Sequence, residues 1–147
     1  MSDQETWEAF VVQLCDLAVT HDADTVLRES LVVLSSRTVQ PGDRSGKITV
    51  TRFDDEAARV QTGWCFDMVV DYATGDRERP SPALRLVEAI CAGNAEEQSL
   101  IDADGRWVDV FCQAWTPTGD RWTSGDPQGA TERATRRFPR WNNPAVN

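Results

Sequence analysis

The chain has 147 residues, 40% of them hydrophobic and 27% charged, with a formal net charge of −9. That length suits one domain whose core needs no disulfide or metal to hold it. The charge sets the body against nucleic acid and anionic membrane surfaces, both of which would repel it, and favours solubility or a basic partner.

In chain order, the first expected element is a helix. Trp7, Phe10, Val11, Leu14, Cys15, Leu17 and Ala18 recur at helical spacing over residues 4–19. Ser2 or Asp3 is the cap, and Glu5 falls in the first turn, where a carboxylate meets the positive end of the helix dipole. Residues 24–39 read two ways: Thr25 to Glu29 can continue as helix, whereas Leu31 to Leu34 and Arg37 to Val39 look like strand. A short helical turn leading into a strand is the expectation. Turn residues at Pro41-Gly42-Asp43 and Ser45-Gly46 introduce a strand at 47–53 with Ile48 and Val50 on one face. Asp54-Asp55-Glu56 then closes a hairpin.

The longest periodic signal follows, from Ala58 to Tyr72. Val60, Thr62, Trp64, Phe66, Met68, Val70 and Tyr72 alternate with Arg59, Gln61, Gly63, Cys65, Asp67, Val69 and Asp71. This reads as one strand of roughly 45 Å, bent or bulged at Gly63, with Trp64, Phe66 and Tyr72 packing the helices. A second helix starts at Ser81 as N-cap and Pro82 as first residue, carries Leu84, Val87, Ile90 and Cys91 as its stripe, and stops at Gly93. Strands at 97–103 and 106–115 form a hairpin about Asp104-Gly105. Beyond Thr116 the periodicity dissolves.

This order gives an α+β fold: two layers, with an antiparallel sheet of four to five strands packed by the N-terminal and central helices, and an irregular C-terminal arm. Residues 1–118 are expected to form the domain, and 119–147 the Arg/Trp/Pro-containing arm. The order of elements is similar to that of type III secretion chaperones and of other two-layer α+β families, although order by itself implies nothing about function.

The chemistry expected from motifs is sparse. His21 is the sole histidine and sits beside Asp22 and Asp24, which reads as a solvated turn rather than a metal site or a general base. Asp102-Ala103-Asp104-Gly105 fails as a calcium loop, since aligning its glycine places Leu100 and Phe111 where carboxylates are required. Gly46-Lys47 lacks the preceding glycine of a phosphate loop, and Ile48 stands where Ser or Thr belongs. Asp67 and Asp71, four residues apart along a strand and so about 13 Å apart, are too distant for one glycosidase pair. Cys15, Cys65, Cys91 and Cys112 have no CxxC spacing and read as buried free thiols of a reducing compartment. No catalytic residue, metal or cofactor is expected. A secretory signal pattern and an apolar run of about 20 residues are both missing from the sequence, so the cytoplasm of a bacterial or phage-infected cell is the expected location, a virion the alternative.

Two features remain as interface candidates. On the strand 106–115, Val108, Val110, Cys112 and Ala114 make a small-residue face, while Trp107, Phe111 and Trp115 stand opposite with Asp109 and Gln113 between them. In the arm, Arg133, Arg136, Arg137 and Arg140 give residues 131–147 a net +3, leaving −12 on residues 1–130. Trp122, Phe138 and Trp141 are its expected anchors. The expected function is therefore a non-catalytic, chaperone-like or immunity-like acidic domain that binds a protein partner or itself. The alternative is a structural subunit such as a phage head-tail or tail component, and an enzyme built from dispersed carboxylates ranks below both.

Overall fold

The computed structural model describes residues 2–76, 78–125 and 132–141, with the side chains of Val108 and Glu132 outside that description. Pro127, Gly129 and Pro144 of the expected arm also lie outside it. Among the described residues are two helices and two antiparallel sheets, so the class is α+β. The first sheet takes β1 (Ala23–Arg28), β2 (Leu31–Ser36), β3 (Lys47–Arg52), β4 (Ala57–Thr62) and β5 (Phe66–Asp71) in chain order. The second, in the order β8-β7-β6-β9, takes β6 (Ala95–Ile101), β7 (Trp107–Trp115), β8 (Arg121–Ser124) and β9 (Glu132–Arg137).

Helix α1 (Asp3–Thr20) begins where Ser2 Oγ accepts the Glu5 amide at 3.1 Å, satisfying a donor the helix itself cannot pair. Its stripe of Trp7, Phe10, Leu14 and Ala18 is buried. Tyr72 completes an aromatic cluster with it, 5.2 Å from Trp7 in a T-shape and 5.3 Å from Phe10. The Tyr72 hydroxyl donates to the Asp54 carbonyl at 2.9 Å, so the buried ring keeps its polar tip satisfied.

Helix α2 (Pro82–Cys91) is capped by Ser81, whose Oγ accepts the Leu84 amide, and ends before Gly93, where φ is +79°. It packs against β4 and β5 of one sheet and β7 of the other. That position explains why Leu86, Val87, Ile90 and Cys91 are all fully buried: the helix serves both sheets, so more than one narrow stripe must be apolar.

Two strand assignments are corrected. The alternation from Ala58 to Tyr72 is a hairpin, not one long strand: Thr62 pairs with Phe66 and Val60 with Met68 about the turn Gly63-Trp64-Cys65. A three-residue loop preserves parity, because directly opposed residues share a face, so the even-numbered row runs through the turn without a break. Phe66 and Tyr72 of that row are buried as expected, whereas Trp64 lies in the turn and is 61% exposed. Residues 24–39 hold no helical turn; β1 and β2 form a hairpin in which Arg28 pairs with Leu31 about Glu29-Ser30. As an edge strand β1 leaves Val26 and Leu27 exposed, so its sequence lacks the alternation of a half-buried strand.

The chain beyond Thr116 is less irregular than expected. β8 returns along β7 after a turn in which Gly119 has φ +105°, and β9 pairs with the far edge of β6. Phe138 and Trp141 follow β9 into the core, each no more than 2% exposed. The Trp141 indole donates to the Ser45 carbonyl at 3.0 Å and its amide donates to the Cys91 carbonyl at 2.8 Å. Residues 132–141 therefore dock on their own chain. No helix among the described residues is long and apolar enough to cross a membrane.

Candidate binding surface

The register of the second sheet separates its two faces. Ala95, Glu97, Cys112 and Ala114 look inward and are buried, and the half-buried Trp122 of β8 lies on the same side. Glu96, Gln98, Phe111, Gln113 and Trp115 lie on the other side, Gln98 buried and the rest half-buried, and pairing places Arg121 and Thr123 of β8 and Arg133, Thr135 and Arg137 of β9 there too.

A chain of side-chain hydrogen bonds crosses all four strands of this outer face. Arg121 donates to Gln113 Oε1 at 2.6 Å, Gln113 and Gln98 both donate to the Glu96 carboxylate, and Arg133 reaches Gln98 Oε1 at 3.4 Å. Arg137 donates its Nε to the Gly93 carbonyl at 3.1 Å and lies 5.3 Å from the centre of the Trp115 ring, a cation–π contact. Arg121, Arg133 and Arg137 are exposed, and none is ion-paired among the described residues. The face thus presents three forked cations around two partly buried aromatic rings.

Four of the interface candidates, Phe111, Trp115, Arg133 and Arg137, are brought together here. The others go elsewhere. β7 carries an extra residue where Asp109 pairs with Leu100 but Trp107 pairs with Ile101, which takes the 64%-exposed Trp107 out of the Phe111–Trp115 row. Trp122 packs against the core from the inner face, and Phe138 and Trp141 are core residues. Arg136 points inward and pairs with Asp43. Arg140 stays exposed, close enough to influence His21. Arg121 joins them without a local signal in the sequence, although continuing the 106–115 strand through a Thr116–Asp120 turn places it opposite Trp115.

The inner face holds a second polar feature. Glu97 is 6% exposed, yet its carboxylate accepts the Trp64 amide at 3.1 Å and the Cys65 amide at 2.5 Å, fastening the β4–β5 turn of one sheet to β6 of the other. Gly63, at φ +62°, passes so close that a Cβ would lie 2.6 Å from Glu97 Oε1. Near it the Cys112 thiol donates to the Cys65 carbonyl at 3.5 Å, and burial pushes that thiol up to about 12. Cys91 is buried as expected and its thiol is pushed up further, again by burial; Cys65, placed in the turn, is exposed.

Several carboxylates elsewhere have partners of their own. Asp67 is bidentate to Arg59, and Asp71 caps the turn at Thr74. A cavity of about 620 Å³ between α2 and the 116–120 turn contains the Arg85–Asp120 pair at 2.5 Å, which holds the Asp120 carboxyl below its ordinary range. His21 is not the solvated turn residue expected: its Nε2 is buried without a hydrogen-bond partner, and burial holds the imidazole below its ordinary pKa. No family model, no curated protein and no solved structure matches the chain.

Proposed function

We propose that the chain is a non-catalytic protein-interaction protein that meets its partner through the outer face of the β6–β9 sheet. The observation that carries this reading is the row of exposed arginines, Arg121, Arg133 and Arg137, standing beside Phe111 and Trp115 with no paired carboxylate among the described residues. Aromatic and arginine side chains dominate binding hot spots because they bury large areas and lose little freedom per contact. Here the glutamine–glutamate network and the Trp115 ring already orient the guanidinium groups, which lowers the entropy cost of docking.

A partner that presents carboxylates to this face would engage those forks bidentately. The acidic remainder of the chain opposes polyanions such as nucleic acid and disfavours wrong orientations of the partner. A photo-crosslinking residue placed in living cells at Thr123 or Thr135, both exposed on the face, is expected to trap one protein. The same residue at Val19, exposed on α1, is expected to trap none, and Arg133→Glu is expected to abolish the adduct. Silence at both face positions, or adducts equally strong from Val19, contradicts the assignment.

A further inference from the structure

The loop before β3 and the β4–β5 turn border an open cleft of about 490 Å³ that none of the interface candidates lines, within the roughly 300–1,000 Å³ range of small-molecule pockets. Its walls include Arg44, Lys47, Thr49, Gln61, Trp64 and Asp67. The acids in this wall are already committed. Asp67 is bidentate to Arg59, while Asp43 accepts the Ser45 amide and hydroxyl at 3.0 and 2.5 Å and pairs with Arg136. Arg44 and Lys47, by contrast, are exposed and pair with no carboxylate among the described residues. The unneutralised charge of the cleft is therefore positive, on a chain whose net charge is −9.

An aromatic surface sits beside that charge. The Arg44 guanidinium lies 3.9 Å from the centre of the Trp64 ring, and Trp64 remains 61% exposed. Stacking on an indole leaves the N–H edge of a guanidinium free to donate to an anion. The turn that carries Trp64 is held in place from below, because the buried Glu97 carboxylate takes the amides of Trp64 and Cys65. Such a platform is rigid before any ligand arrives, so little ordering cost remains to be met on binding.

We propose that this cleft binds a small anion carrying a planar ring, with Arg44 and Lys47 holding the phosphate or carboxylate and the ring stacking on the part of Trp64 that Arg44 leaves uncovered. The proposal is independent of the β6–β9 surface. Adenosine 5′-monophosphate is the probe, titrated into the intact chain and followed through the Trp64 indole N–H resonance and by calorimetry. Saturable binding is expected, weakened roughly tenfold or more by Arg44→Ala, a typical cost for losing a charge-assisted hydrogen bond. Trp64→Ala is expected to reduce the affinity to that of inorganic phosphate, and Lys47→Ala to weaken binding while making it less sensitive to salt. Trp107→Ala, which removes an equally exposed indole elsewhere, is expected to change nothing. No saturation at millimolar nucleotide, equal binding of uncharged adenosine, or affinity unaltered by Arg44→Ala and Trp64→Ala would each overturn the proposal. Since all three wall residues are exposed, the variants are expected to fold, and circular dichroism is the control.

Discussion

Replacing Gly63 and Glu97 singly and together tests how the two sheets are joined. Ala at position 63 keeps φ at +62°, a left-handed conformation that costs a residue with a Cβ about 1–2 kcal/mol, and adds a Cβ 2.6 Å from Glu97 Oε1 and 2.9 Å from Phe138 Cζ. Glu97→Ala removes the overlap with the carboxylate but leaves the Trp64 and Cys65 amides without their acceptor. Each unsatisfied amide costs about 1–3 kcal/mol, offset in part because a charge no longer has to be buried, so a net loss of about 3 kcal/mol is expected. In the double variant the left-handed strain and the Phe138 contact persist while the carboxylate overlap is gone. Urea unfolding of the four proteins should therefore yield a double variant about 1 kcal/mol or more better than the sum of the singles, within the range known for residues in contact. Additivity to within about 0.5 kcal/mol would refute the claim that Gly63 is required by the carboxylate beneath it.

Three further outcomes follow from the same packing. Trp141→Ala empties a site 1% exposed and removes the indole bond to Ser45, so a loss of about 3–5 kcal/mol, roughly 10 °C in Tm, is expected by calorimetry; an unchanged Tm would mean the segment after β9 contributes nothing to stability. Burial favours neutral His21 in the folded chain, whereas the unfolded chain takes up a proton near pH 6.5, so stability should fall as the pH drops below about 6.5. His21→Asn should flatten that part of the urea-midpoint profile while leaving the steeper loss below about pH 4, where Asp43 and Asp120, held low by their hydrogen bonds and arginine partners, finally protonate. Identical slopes for the two proteins between pH 7.5 and 5.5 would rule His21 out. Arg59→Ala breaks only the half-exposed Arg59–Asp67 pair and should cost less than about 1 kcal/mol; a larger loss would show that the first sheet depends on its outer face.

The elements whose signals are local were legible from the sequence. Ser81, Pro82 and Gly93 delimit α2, Asp104-Gly105 turns β6 into β7, and Trp7, Phe10 and Leu14 mark the buried side of α1. What was not legible depends on pairing. A three-residue turn keeps parity, so the β4–β5 hairpin imitates a single strand, and only the excessive length and Gly63 hinted at a break. β9, Glu-Arg-Ala-Thr-Arg-Arg, has no alternation of apolar residues and becomes a strand because β6 offers it an open edge. The binding surface was half legible for the same reason: Phe111 and Trp115 share a strand face, but bringing Arg121, Arg133 and Arg137 beside them takes two strand pairings that no local residue pattern records.

On the proposed reading, this face, and not another part of the acidic surface, holds the partner. The most direct measurement is the dissociation constant for the protein trapped by crosslinking, determined for the unmodified chain and for Arg121→Glu, Arg133→Glu and Lys47→Glu at low and high salt. If the face is the interface, each of the first two substitutions should weaken binding by about 2 kcal/mol, roughly 30-fold, more strongly at low salt. Lys47→Glu, away from the face on the first sheet, should leave affinity within about twofold. Equal losses in all three variants, or none in the two face variants, would contradict it.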